Sequence, residues 1–270
     1  MTADDTILVG AVAYHPRIVT IWEGFREWFA TSGAPTDYLL YSNYERLVDA
    51  LLCGAVDVAW NTNTAYVAAE QRIGGDAQVL GMRDVDADFR TVIVARRGAL
   101  DGVGALRGAR LALGSRDSGH AAILPLHYLA REGVDVGELT LVRFDTDLGK
   151  HGDTGDSELR VVRAVAEGDA DAGAVGDTTW AAMRSEGFAP AGDLEVVWRS
   201  PTYYHCNFTA LPSFDSGRAG RWSAALLAMS YDDPALRGVM DLEGVKRWLP
   251  GDKSGYADLA EAMREQGYLG

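Results

Sequence analysis

The sequence predicts an α/β protein built as two similar lobes, and three observations carry that expectation. Strand-like and helix-like segments alternate with short connections through the first 74 residues, and the alternation restarts after residue 89. Two distant stretches, "ERLVDALLCGAVDVAWNTNTAYV" and "LRVVRAVAEGDADAGAVGDTTWA", also share one plan: a helix, a turn with Gly, a strand carrying Asp, and a polar helix entrance.

In order, "TILVGAVAY" reads as a buried strand and "PRIVTIWEGFREWFATSG" as a helix. In that helix Ile18, Ile21, Trp22, Phe25, Trp28 and Phe29 recur at spacings of three and four, with Pro16 near its start and Gly33 past its end. "TDYLLYS", "YERLVDALLCG", "AVDVAWN" and "TNTAYVAAEQRIG" follow as strand, helix, strand and helix. "DAQVLGMR" and "FRTVIVARR" are strands that lead into the second unit. There, "ALRGARLALG" reaches a strand, "DSGHAAILPLHYLAREG" is a helix, and "LTLVRFD" is a strand. "ELRVVRAVAEGDADAGAVGDTTWAAMRSEG" supplies helix, strand and helix. From about Tyr203 come one strand, "HCNFTALP", and several helices, including "SGRAGRWSAALLAMS" and "YADLAEAMREQGYL".

Of the 270 residues, 47% are apolar and 24% charged, enough to bury a core. A net charge of −14 with a pI near 4.7, and no basic stripe, argues against nucleic acid or an anionic membrane as the main partner. Cys53 and Cys206 stand far apart without CxxC spacing, so both are expected as free thiols, Cys53 in the core. The start, "MTADDTILVGAVAY", has no basic n-region, long apolar run or lipidation cysteine, and no apolar run long enough to span a membrane occurs later. The expectation is a cytoplasmic protein as written, extracytoplasmic if a signal peptide has been removed, with no membrane insertion.

One loop draws attention first. In "GSRDSGHAA", Gly114, Ser115, Ser118, Gly119 and His120 stand between a strand and a helix. Free N–H groups and hydroxyls at a helix entrance suit an anion, although Asp117 or Ser118 also serves as an ordinary N-cap. In open α/β sheets such entrances meet at the carboxyl ends of strands, where ligands bind.

Three of these stretches, "ALLCGAVDVAWNTNTAYV", "LRGARLALGSRDSGHAAILPLHYLAREGVD" and "VRAVAEGDADAGAVGD", together resemble the phosphate/phosphite/phosphonate solute-binding family of ABC transporters. The likeness covers most of residues 5 to 250. It implies a type 2 periplasmic-binding-protein fold, with two lobes, each a mixed, mainly parallel sheet flanked by helices, and a ligand cleft between them. Lobe one would comprise residues 1–88 and 204–270, lobe two residues 89–203. The resemblance further implies an anion held by Ser115, Ser118 and Gly119, with contacts from Asn61, Thr62, Asn63 and Asp177. Two departures stand out: "SRDSGH" replaces the usual Ser-Thr-Ser run and brings in Arg116 and Asp117, and the export signal is missing. The second puts a transporter partner in doubt.

Four histidines fall at loops or strand ends: His15, His120, His151 and His205, the last beside Cys206 and Tyr204. They suit three uses: donors to an anionic ligand, acid–base groups working with Lys150, Asp153 or Asp177, or metal ligands. The metal use is the weakest, because none shows HxH, HxxxH or CxxC spacing, so no metal and no required cofactor are expected. Trp60, Tyr14 and Tyr204 are candidate aromatic linings, and Arg116 and His120 would add charge to the anion loop. The expected function is binding of a small phosphonate-, phosphate- or carboxylate-bearing ligand. The alternative is an enzyme on the same scaffold, doing lyase or dehydratase acid–base chemistry with His15, Lys150, His151, His205 and Cys206.

Overall fold

A computed structural model describes residues 5–269. The chain divides into two compact units, with breaks at Asp88/Phe89, Tyr203/Tyr204 and Tyr256/Ala257.

The first unit starts with the expected alternation: β1 (Ile7–Val12), α1 (Arg17–Thr31), β2 (Thr36–Tyr41), α2 (Tyr44–Leu52), β3 (Val58–Asn61), α3 (Asn63–Ile73) and β4 (Gln78–Arg83). After the second unit the chain returns with β10 (Asn207–Ala210), α7 (Ser216–Leu227), α8 (Pro234–Glu243) and β11 (Trp248–Leu249). These strands form one sheet in the order β11-β4-β10-β3-β1-β2. β1 is parallel to β2 and β3, and β10 is antiparallel to both β3 and β4. Strand alternation decides which helices each residue meets. Val9, Ala11, Val58 and Trp60 join α1, α7 and α8 in one core layer, while Val12 and Ala59 join α2 and α3 in the other. On α1 the buried residues are Ile18, Ile21, Trp22, Phe25 and Phe29, the stripe expected from spacing. Gly10 lets α2 approach β1, since a Cβ there would lie 2.4 Å from Leu47 Cδ1.

The second unit contains β5 (Thr91–Arg96), β6 (Arg110–Leu113), α4 (Leu124–Arg131), β7 (Thr140–Arg143), α5 (Asp156–Glu167), β8 (Ala172–Gly176), α6 (Asp177–Ser185) and β9 (Leu194–Arg199). Its sheet runs β7-β6-β8-β5-β9, with β6 parallel to β7 and β8, and β5 antiparallel to β8 and β9. Val92, Val94 and Val175 pack under α5 and α6, and Ile93, Leu111, Leu113 and Ala174 pack toward α4.

The final helix, α9 (Ala257–Glu265), corrects the expected lobe boundary, because it belongs to the second unit. Leu259, Ala262 and Met263 are buried. Tyr128 Oη on α4 donates to Asp258 (2.8 Å), Arg131 pairs with Glu261 (2.7 Å), and Gln266 Nε2 donates to the Ile123 carbonyl (2.9 Å). Tyr128 and Arg131 of α4 thus find their acidic partners on α9. Cys53 is a second correction: it caps α2 at an exposed end and is not core. Among the described residues no helix is long and apolar enough to cross a membrane.

Candidate functional site

In the second unit the parallel strands β7, β6 and β8 are followed by α5, α4 and α6, so three helix entrances lie at the carboxyl edge of one sheet. After β6 the chain makes a tight turn in which Ser118 N donates to the Ser115 carbonyl (2.9 Å) and Gly114 N to the Ala121 carbonyl (3.0 Å). Ser118 caps a π-helical turn, Gly119–Ile123, that runs directly into α4. Its Oγ accepts from Ala121 N at 3.2 Å. Ser115, Ser118 and Gly119 are all buried. Among the described residues Ser115 Oγ has no hydrogen-bond partner, and neither does Ser157 Oγ in the first turn of α5, beside the Gly114 backbone. Two buried hydroxyls without partners are costly unless something else engages them.

Charge is arranged here differently from expectation. Arg116 is exposed and turned onto Asp145, its Nε 2.8 Å from Oδ2, so its cation is already matched. Asp117 Oδ2 accepts from Gly149 N (2.5 Å); burial pushes its carboxyl up, against the N–H groups that favour the anion. His120 is buried with Nε2 3.3 Å from Glu158 Oε2 and Nδ1 3.4 Å from Ser118 Oγ. Burial alone would lower its pKa, but Glu158, with Asp153 and Asp177 farther off, outweighs that and raises it. Glu158, which the sequence did not single out, also accepts from Gly176 N (2.6 Å) and Thr179 Oγ1 (3.1 Å). Asp177 opens α6 and is tied to the Arg90 backbone; its N–H donates to the Arg90 carbonyl (3.0 Å). Burial raises its pKa. Lys150 and His151 lie in the turn-rich loop before α5, His151 buried with a left-handed φ of 54°.

In the first unit, the β1 and β3 carboxyl ends carry the other expected residues. Thr62 caps α3, accepting from Ala65 N at 3.3 Å. Asn63 Nδ2 donates to the Tyr204 carbonyl (3.3 Å), and Asn61 Nδ2 to Thr209 Oγ1 (3.1 Å), leaving Asn61 Oδ1 buried without a partner among the described residues. Tyr204 Oη donates to Asp252 (2.7 Å), and Tyr14 packs half-buried against the core. Trp60 is not a free aromatic wall. It points with Val58 into the core, 4.4 Å from the Phe208 ring, with the Arg83 guanidinium 5.3 Å above it.

The residues offered for catalysis do not form one set within either unit. Lys150 and His151 are in the second, while His15, His205 and Cys206 are in the first. His15 is exposed at the start of α1, where Nδ1 accepts from Arg17 N (3.1 Å). His205 and Cys206 are buried with His205 Nδ1 3.0 Å from the sulfur and 3.6 Å from Asp86 Oδ1. Asp86, His205 and Cys206 have the spacing to share a metal ion, as do His127, Asp258 and Glu261. Both groups are already engaged by cations: Arg83 Nε and Nη2 bond Asp86 at 2.6 and 2.9 Å, and Arg131 bonds Asp258 and Glu261.

Comparison with known proteins adds to this geometry. Residues 10–256 match the profile of a family described as "ABC transporter, phosphonate, periplasmic substrate-binding protein". The chain is 21% identical over 239 residues to the probable ABC transporter phosphite binding protein PhnD1 of Prochlorococcus marinus (strain MIT 9301), covering 84% of this chain and 77% of that protein. The structure of PhnD1 with methylphosphonate superposes with a TM-score of 0.76 at 19% identity, covering 98% of this chain and 99% of that one. XAC2383 from Xanthomonas citri bound to ATP superposes with a TM-score of 0.75 at 20% identity, covering 97% and 98%. The folds therefore agree: two mixed sheets flanked by helices, of the type 2 periplasmic-binding-protein kind.

Proposed function

Since the chain belongs to the family of periplasmic substrate-binding proteins of phosphonate ABC transporters, we propose that it reversibly binds a small phosphonate or related phosphorus oxyanion and presents it to such a transporter. The observation that carries this reading is the pair of buried, unpartnered hydroxyls, Ser115 Oγ and Ser157 Oγ, beside the capped entrance at Ser118. An oxyanion with several acceptor oxygens satisfies such donors together, and the helix entrances add favourable N–H dipoles. Because Arg116 is engaged by Asp145, recognition rests on hydroxyls and amides. We further propose that Gly119 and Asp177, both at helix entrances of the second unit, contribute contacts.

A binding role also accounts for the way the expected catalytic groups are used. His15 accepts the Arg17 backbone N–H just before α1, and His205 and Cys206 are held in a buried network with Asp86 and Arg83. The family is periplasmic, which supports the extracytoplasmic alternative and a transporter partner and leaves the cytoplasmic expectation without support. Residues 1–4, part of the stretch on which the cytoplasmic expectation rested, lie outside the described residues.

The test is calorimetric titration with methylphosphonate, phosphite, phosphate and methanesulfonate. The double variant Ser115→Ala/Ser118→Ala is expected to lose about 1 kcal/mol or more of binding free energy per hydrogen bond removed. Unchanged affinity in that variant would sink the assignment of the site, and binding of none of the four anions would sink the function.

A further inference from the structure

We propose that His120 and Glu158 act as a positioning pair, in which protonation of His120 turns the Ser118 hydroxyl into a donor for the ligand, so that oxyanion binding is linked to proton uptake at His120. The inference rests on the binding site proposed above and assigns its proton linkage.

The argument is one of hydrogen-bond directions. Glu158 is buried in the first turn of α5 and receives Gly176 N–H at 2.6 Å and Thr179 Oγ1 at 3.1 Å. An ionised carboxylate only accepts, so the His120 Nε2 facing Oε2 at 3.3 Å carries a proton. The opposite nitrogen, Nδ1, faces Ser118 Oγ at 3.4 Å. The same oxygen already accepts from Ala121 N at 3.2 Å as the helix cap. If His120 is neutral, Nδ1 is an acceptor, the Ser118 proton points at it, and the hydroxyl has no proton to offer an anion. If His120 is protonated, Nδ1–H donates to Oγ. Both acceptor positions of the hydroxyl are then occupied, and its proton is directed outward. Only the second state suits an oxyanion.

The surroundings favour the coupling. His120 is buried, with the Phe89 ring centroid 5.6 Å away on one side. On the other, Gly152, at φ 90°, lies so close that a Cβ there would be 2.9 Å from Ser118 Oγ and 3.3 Å from the imidazole. Water is kept from the pair, which strengthens its polarity. The charged groups facing His120 are Glu158 from α5, Asp153 from the preceding loop and Asp177 from α6. All are acidic; burial by itself would lower the His120 pKa, and these carboxyl groups outweigh it and leave it raised.

The experiment is an NMR pH titration of the His120 imidazole nitrogens in the full chain, with and without saturating methylphosphonate, in wild type, Glu158→Gln and Ser118→Ala. In the free wild type above the midpoint, the neutral ring is expected to carry its proton on Nε2. Ligand is expected to raise the midpoint, and affinity to fall as pH rises through it more steeply than the ligand's own titration explains. Glu158→Gln is expected to lower the midpoint by about one pH unit or more. Ser118→Ala is expected to bind more weakly and to abolish the ligand-induced shift while leaving His120 titratable. Binding with an unchanged His120 midpoint, or a neutral ring protonated on Nδ1, would overturn this inference and leave the binding function standing. Absence of binding at every pH would overturn both.

Discussion

At the level of single residues, the sequence located hydroxyls but not their partners. Ser115 and Ser118 were legible because they stand between a strand and a helix, where short polar side chains have a defined local use. Ser157 and Glu158 were not, because a serine and an acid in a first helical turn already have an ordinary explanation in capping and the helix dipole. Arg116 looked like a ligand cation until Asp145, 29 residues on, was found beside it. The buried network of the first unit is similar: Asp86 was unremarkable in sequence, yet it is fully buried against Arg83. Burial would raise Asp86, but the Arg83 guanidinium, helped by His205, outweighs burial and holds its carboxyl at about 2. A carboxyl whose folded pKa is depressed contributes stability above its unfolded pKa and loses it as pH falls toward the folded one. Asp86→Asn is therefore expected to destabilise the protein by about 3–5 kcal/mol near neutral pH, since it leaves a largely buried guanidinium, 17% exposed, without its main counter-charge. Denaturant melts should show this deficit shrinking between about pH 4 and pH 2. A deficit constant over that range would contradict the assignment.

At the level of elements, periodicity found the helices and strands whose apolar pattern is regular. It found α1 with its buried stripe and the strands β1, β3, β6 and β8. It missed β9, "LEVVWR", an edge strand that follows a helical turn carrying Pro190 and Gly192 and has mostly half-buried side chains. The amphipathic pattern of α9 was also visible, but a stripe of apolar residues does not say which surface covers it. The structure seats that stripe in the second unit, against α4. Leu259→Ala is accordingly expected to cost about 2–4 kcal/mol as a buried leucine truncation. Its local effect distinguishes the two assignments: hydrogen exchange should speed up in Leu124–Arg131, while the amides of β1 and β3 keep their protection. Faster exchange in the first-unit strands alone would return α9 to the first unit.

For the molecule as a whole, ligand binding should appear as stability. A ligand bound only by the folded chain, at about 100 times its Kd, contributes about 2.7 kcal/mol, so methylphosphonate should raise the melting temperature progressively with concentration. A melting temperature unmoved by ligand that calorimetry shows to bind would mean that the site survives in the unfolded ensemble. The net charge of −14 makes a hydroxyl-and-amide site in the second unit physically demanding, because the overall field repels anions and the local dipoles must overcome it. Raising the ionic strength should therefore not weaken binding as it would at a site built on exposed arginines. By itself, the sequence determined the α/β class, the order of nearly all the elements, the two-part organisation and the loop at Ser115 to Gly119, because periodicity, caps and turn residues act over a few neighbouring positions. Only the tertiary structure decided that Arg116 belongs to Asp145, that Trp60 is core, that α9 serves the second unit and that His120 faces Glu158. Each of those depends on a partner 29 or more residues away, and burial and charge pairing at such distances are set by how sheets and helices pack, which no local pattern encodes.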